Sequence, residues 1–265
     1  MLDFTPYGSK MYPRYSYPPC GVLGLAFNVL FSGRRSFRAD SKRCIERLTP
    51  RGRCAEPPLH VLGGENIPQA GPCLITFNHY YRPGFGAQWL ALAIAAVVPV
   101  EMHWIMTSEL TFPGKWYAPL GRAGSRWLLN RFSRIYGHTL MPPMPPRPKD
   151  VEARARAVRE VLSYVNENGN AILGLAPEGS DQPGGQLSWP ASGAGRFGLL
   201  LAGRGLRFVS VGAYEAEGAL CLSFGPAYEL SVSRGLSPDE KDRQAAKAIM
   251  EHIAHQLPLY LRGDF

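Results

Sequence analysis

Two polar pairs, each at the end of an apolar run, are where this chain could carry out acid–base chemistry. Leu74-Ile75-Thr76-Phe77 leads into Asn78-His79, and Ala171-Ile172-Leu173-Gly174-Leu175-Ala176 leads into Pro177-Glu178-Gly179-Ser180. A neutral imidazole near pH 7 is suited to take a proton from a hydroxyl. Both pairs fall where a buried strand would turn, and in open α/β sheets ligands bind in the crevice beyond the strand ends. His79 and Glu178 are therefore expected in one site, far apart in the chain but close in space.

The elements that must position them follow from apolar patterning and from turn residues. Short strands are expected at 59–63 and 73–77, then a helix over 84–97 and a strand near 100–107. Residues 118–136 read as a helix that carries Arg122, Arg126, Arg131 and Arg134 and no acid. Five prolines between Met141 and Pro148 make that stretch a stiff loop. Asp150 is expected to cap a helix over 151–167 that stops at Asn168-Gly169. A strand at 170–176, a Gly/Pro-rich loop to 195, a helix at 195–203, strands at 207–213 and 220–224, and a closing helix over 238–256 complete the reading. Alternating strands and helices imply a single α/β domain with a mixed, largely parallel sheet flanked by helices.

The chain has 265 residues, enough for a full core, with 45% hydrophobic and 19% charged residues. Its net charge of +8 is uneven: Arg34, Arg35, Arg38, Lys42, Arg43, Arg47, Arg51 and Arg53 face only Asp40 and Glu46 in the same stretch. That basic run directly follows the apolar stretch Cys20–Phe31. Apolar followed by basic suits a monotopic anchor, because lipid tails take one part and anionic headgroups the other. The apolar stretch is too short to span a bilayer, and the Pro/Tyr-rich start lacks a signal-peptide layout. The basic run has no interleaved aromatics and matches no recognition module, so no nucleic acid is expected as a partner. Five scattered cysteines without a CxxC argue for a reducing setting, and against both a disulfide framework and a zinc site.

Taken in order, several blocks resemble those of the glycerolipid acyltransferase (lysophospholipid acyltransferase-like) superfamily. They are Leu62-Gly63-Gly64-Glu65-Asn66-Ile67-Pro68, Gly71-Pro72, Ile75-Thr76-Phe77-Asn78-His79, Ala176-Pro177-Glu178-Gly179-Ser180, Phe208-Val209-Ser210-Val211-Gly212 and Phe224-Gly225-Pro226. The resemblance spans residues 59–258. It implies an acyltransferase that moves a fatty acyl group from acyl-CoA or acyl carrier protein, as co-substrate, to the hydroxyl of a lysophospholipid-like acceptor. No cofactor and no metal would be bound. His79 would be the general base, and Asn78, Arg82, Arg122, Glu178, Gly179 and Ser180 would bind substrate. Residues 56–265 would form the acyltransferase-like α/β domain. Residues 1–55 would hold it on an anionic membrane surface, peripherally, on the cytoplasmic face.

The chain also departs from the family pattern. Gly84 stands where the family has an aspartate five residues after the histidine, the carboxylate that orients the imidazole and stabilises its protonated form. Glu101, Glu109 and Glu178 are the carboxylates that could replace it. Asp181 follows Ser180 where the family often has a basic residue, and Ser210 replaces a family proline. The family's acceptor-phosphate arginine, due near Met141–Pro143, is absent, which leaves Arg122 and Arg126, four apart on one helical face, to supply positive charge. These departures support an alternative: a catalytically impaired lipid- or acyl-binding relative of the same fold.

Gly193-Ala194-Gly195-Arg196-Phe197-Gly198 fits a GxGxxG dinucleotide loop, with Glu215 placed for a ribose contact. No hydrophobic strand precedes it, so its glycines are expected to serve a turn and close helix packing. His252 and His255 have no third ligand in view and are expected at the surface.

Overall fold

The computed structural model describes residues 19–46, 59–81, 85–112, 114–180, 183–216 and 219–265. Strands β1 (Leu59–Leu62), β2 (Cys73–Phe77), β3 (His103–Thr107), β4 (Thr139–Met141), β5 (Ile172–Leu175), β6 (Arg207–Ala216) and β7 (Ala219–Phe224) form one sheet in the order β1-β7-β6-β2-β5-β3-β4. Every pairing is parallel except β6 with β7. The continuous apolar runs are the central strands: every residue of β2 is buried between β6 and β5. Parallel strands covered on both faces need such unbroken apolar sequence. The helices are α1 (Pro19–Phe31), α2 (Phe37–Glu46), α3 (Ala87–Val97), α4 (Ala118–Tyr136), α5 (Val151–Glu167), α6 (Ala194–Ala202) and α7 (Pro238–Ala254). The architecture is the single α/β domain expected, a mixed and largely parallel sheet flanked by helices.

Four details differ from the sequence expectations. Strand β4 was not foreseen; it is three residues long, too short for a periodic signal, and follows Gly137, which ends α4 at φ 72°. Helix α3 starts at Ala87, three residues later than expected. Asp150 does occupy the residue before α5, but its carboxylate makes no cap hydrogen bond and pairs with Arg147 instead. Part of the basic stretch, expected to face anionic headgroups, bonds within the fold. Arg35 makes a two-pronged bond to buried Asp40 at 2.6 and 2.7 Å, Tyr136 donates to the same carboxylate at 2.9 Å, and Arg38 donates to the carbonyl of Val98 at 3.0 Å. Arg47, Arg51 and Arg53 lie outside the described residues.

Helix α2 is fastened to the domain by Phe37, whose ring meets Trp104, Phe132, Tyr136 and His138 edge-on. No helix among the described residues is long and apolar enough to cross a membrane.

Candidate active site

Strands β2 and β5 are parallel neighbours in the register Cys73↔Ile172 through Thr76↔Leu175, so both end at the same edge of the sheet. Asn78-His79 and Pro177-Glu178 leave from those adjacent ends. The main-chain N–H of His79 donates to Glu178 Oε2 at 2.6 Å. The other oxygen, Oε1, accepts the main-chain N–H of Ser188 at 2.8 Å and its hydroxyl at 3.1 Å. Glu178 is buried, and burial raises its pKa above the usual carboxylate value against the opposing pull of these N–H donors and of His79. The meeting of His79 and Glu178 is thus made through the histidine's main chain.

Asn78 is buried, and its amide bonds both main-chain groups of Ala213: Nδ2 donates to the carbonyl at 2.9 Å, and Oδ1 accepts the N–H at 2.7 Å. The side chain thereby continues the β2–β6 ladder one step past the end of β2, which holds the turn carrying His79. That positioning duty could not be read from the Asn-His pair itself. Below it, the Thr76 and Ser210 hydroxyls are 3.2 Å apart. Ser210, where the family has a proline, thus bridges the two strands.

Gly179 takes φ 69°, and a Cβ there would stand 2.7 Å from Met144 Cγ, so the tight turn after Glu178 requires glycine. Ser180 follows half-buried. Arg122 sits on the exposed side of α4, and among the described residues no hydrogen bond or ion pair joins its guanidinium to His79 or Glu178. Arg82, Gly84 and Asp181 lie outside the described residues.

Of the three carboxylates considered as replacements for the missing aspartate, Glu101 accepts from the Ser36 hydroxyl and the Arg38 N–H. Glu109 is held by Arg126 and Arg147, and these arginines keep it ionised below the usual carboxylate range. Glu178 is the one of the three in contact with His79.

Several site residues escaped the sequence reading. Ser188 ties the loop before α6 to Glu178. The Tyr80 hydroxyl donates to Glu215 Oε2 at 3.2 Å, both residues being buried, so Glu215 has a partner unrelated to any ribose. Arg154, on α5, donates to the carbonyls of Pro142 and Pro143 at 3.3 Å each. It therefore brings a guanidinium to the Met141–Pro143 stretch, which has no arginine of its own. No signal short of the tertiary contact could have found it. Arg154 borders a cleft of about 170 Å³ whose other walls include Met141, Met144, Val158, Leu175 and Phe197, and which opens beside Gly179.

The GxGxxG stretch serves packing. The N-terminus of α6 is filled by the buried Asp242 carboxylate, which accepts the N–H groups of Gly193 at 2.7 Å and Arg196 at 2.6 Å. A Cβ on Gly195 would stand 2.0 Å from the Asp242 carbonyl oxygen. The Asp242 carboxylate thus stands where an anion would otherwise meet the helix N-terminus. Among the described residues no group of three or more His, Cys, Asp or Glu side chains is placed to hold a metal ion.

No model of a protein family matches the chain. No curated protein sequence matches it either. Among solved structures it resembles the crystal structure of PlsC, the 1-acyl-sn-glycerophosphate (LPA) acyltransferase of Thermotoga maritima. The TM-score is 0.51 at 15% identity, over 83% of this chain and 77% of that one. The chain has the fold of PlsC. At that identity the likeness is one of architecture.

Proposed function

We propose that the protein is a lipid acyltransferase that moves a fatty acyl group from acyl-CoA or acyl carrier protein to the hydroxyl of a lysophospholipid-like acceptor. The observation that carries this reading is the joining of His79 to Glu178 at two adjacent parallel strand ends, within a PlsC fold. His79 takes the acceptor's hydroxyl proton as that oxygen attacks the thioester carbonyl carbon. The tetrahedral adduct then collapses, the carbon–sulfur bond breaks, and the imidazolium returns its proton to the departing thiolate. Glu178 holds the His79 main chain, and its charge lies beside the positive charge that develops on the ring. The apolar cleft beside Gly179 suits a hydrocarbon chain, and Arg154 at its rim suits an anionic headgroup. Arg82, Gly179, Ser180 and Arg122 are the further substrate-binding positions of this reading, whereas Asn78, both ends of whose amide are bonded to Ala213, holds the turn that carries His79. Residues 1–55 would dock the domain on the cytoplasmic face of a membrane.

A second reading is favoured by one specific observation. Gly84 replaces the family aspartate, and Glu178 bonds the main chain of His79. On that reading the protein binds lipids or acyl chains without transferring them. The deciding experiment measures thiol release from long-chain acyl-CoA, and then from acyl carrier protein, with a panel of lysophospholipid, glycolipid and alcohol acceptors. Release that depends on acceptor and is lost in His79→Ala supports the acyltransferase. Release no greater than that of the variant, with either donor, supports the binding protein.

A further inference from the structure

The exposed faces of α4 and α1 carry several large apolar side chains. Leu120 and Trp127, seven residues apart, lie along one side of α4, and Trp116 stands in the turn just before the helix. Trp116, Leu120 and Trp127 are 92%, 79% and 60% exposed. On α1, Phe27 and Phe31 are 62% and 71% exposed, with their rings 4.9 Å apart. The two helices form one surface because Arg131 of α4 donates to the carbonyls of Val29 at 3.1 Å and Ser32 at 2.9 Å, at the end of α1.

The charges these two helices themselves carry are all basic, with Arg126 paired to the buried Glu109. Helix α4 carries Arg122, Arg126, Arg131 and Arg134 without an acid, and α1 carries no charge at all. A second copy of the chain would bring basic helices against each other, which disfavours a self-contact. An anionic bilayer meets both features. Tryptophan is enriched at the membrane–water interface, where its ring lies at headgroup level, and arginines at the rim attract anionic lipid.

We propose that α4 docks the protein on an anionic lipid bilayer: Trp116, Leu120 and Trp127 enter the interface alongside Phe27 and Phe31 of α1. This extends membrane contact beyond residues 1–55 into the α/β domain, and it does not rest on the acyl-transfer reading. The test is co-flotation of the full chain with phosphatidylcholine vesicles containing phosphatidylglycerol, comparing the natural protein with W116S/L120S/W127S. All three side chains are exposed, so the variant is expected to keep its melting temperature, which serves as the folding control. Binding is expected to fall at least tenfold. In brominated-lipid vesicles the natural protein's tryptophan fluorescence is expected to be quenched. W116F/W127F, which keeps the apolar face, is expected to bind while losing most of that quenching.

Undiminished binding of the triple variant would overturn the proposal and leave docking to the N-terminal segment alone. Absence of binding by the natural protein would also overturn it. So would a natural dimer that the triple variant converts to monomer, because the face would then join copies of the chain. Each outcome is read without turnover, so a failure here is distinct from a failure of the acyltransferase reading.

Discussion

Single substitutions can separate the roles proposed for His79 and Glu178. His79 is half-buried at the end of β2, so His79→Ala is expected to fold normally and to lose about 10²- to 10⁴-fold in acyl transfer, the usual contribution of a general base. Glu178→Gln should do something different. Both carboxylate oxygens accept N–H groups, one from His79 and one from Ser188. An amide has a single acceptor, so one of those N–H groups would face another donor. The expected cost is about 1–3 kcal/mol, seen as a lower urea midpoint relative to His79→Ala. Arg154 offers a third test. If it meets an anionic headgroup, Arg154→Ala should raise KM for a lysophosphatidate by about 10- to 100-fold, the equivalent of one charged hydrogen bond. KM for a neutral alcohol acceptor should stay nearly unchanged.

At the scale of elements, the pairing of α6 with α7 shows how close packing and capping support each other. Asp242 on α7 holds the N-terminal N–H groups of α6, and Gly195 lets α6 lie against the α7 backbone at the same place. Gly195→Ala would drive a Cβ into the Asp242 carbonyl oxygen, which cannot yield as a flexible side chain would. The helices must separate, and the cap bonds stretch with them. We expect a loss of about 1–3 kcal/mol or more, measured by thermal or urea unfolding. Helix α4 shows the opposite arrangement, because its outer face carries large apolar side chains that none of the described residues covers.

The whole molecule should carry an acid-sensitive stability that originates beneath α2 and α4. His103 and His138 are buried, and burial pushes their pKa values down to about 4 and about 3. The folded protein therefore keeps both rings neutral at pH values where the unfolded chain, with ordinary histidines near 6.5, takes up protons. The stability they contribute is present above pH 6.5 and is lost as pH falls toward 4. The slope is at most about 1.4 kcal/mol per pH unit for each histidine. Urea midpoints measured from pH 8 to pH 5 should fall accordingly, above the range in which Glu109 titrates, since Arg126 and Arg147 hold that carboxylate low. His138→Phe, which suits the ring of Phe37, Phe132 and Tyr136 around that position, should roughly halve the slope.

Much of this was legible along the chain. The unbroken apolar runs before Asn78 and Pro177 identified β2 and β5, because a strand buried on both faces needs that composition. The polar residues at their ends marked the candidate site, because parallel strands bring their ends to one edge. Helix α4 was readable to its last residue, and the glycines of 193–198 were readable as packing residues. Tertiary structure alone decided which groups those residues touch. The strand order puts β6 and β5 on either side of β2, and only that order lets Asn78 reach Ala213 and Glu178 reach His79. Ser188, Tyr80 with Glu215, and Arg154 at the Pro142 and Pro143 carbonyls join residues from separate elements. Periodicity reports which face of an element is buried. It carries no record of strand order or register, and those determine every contact that one element makes with another.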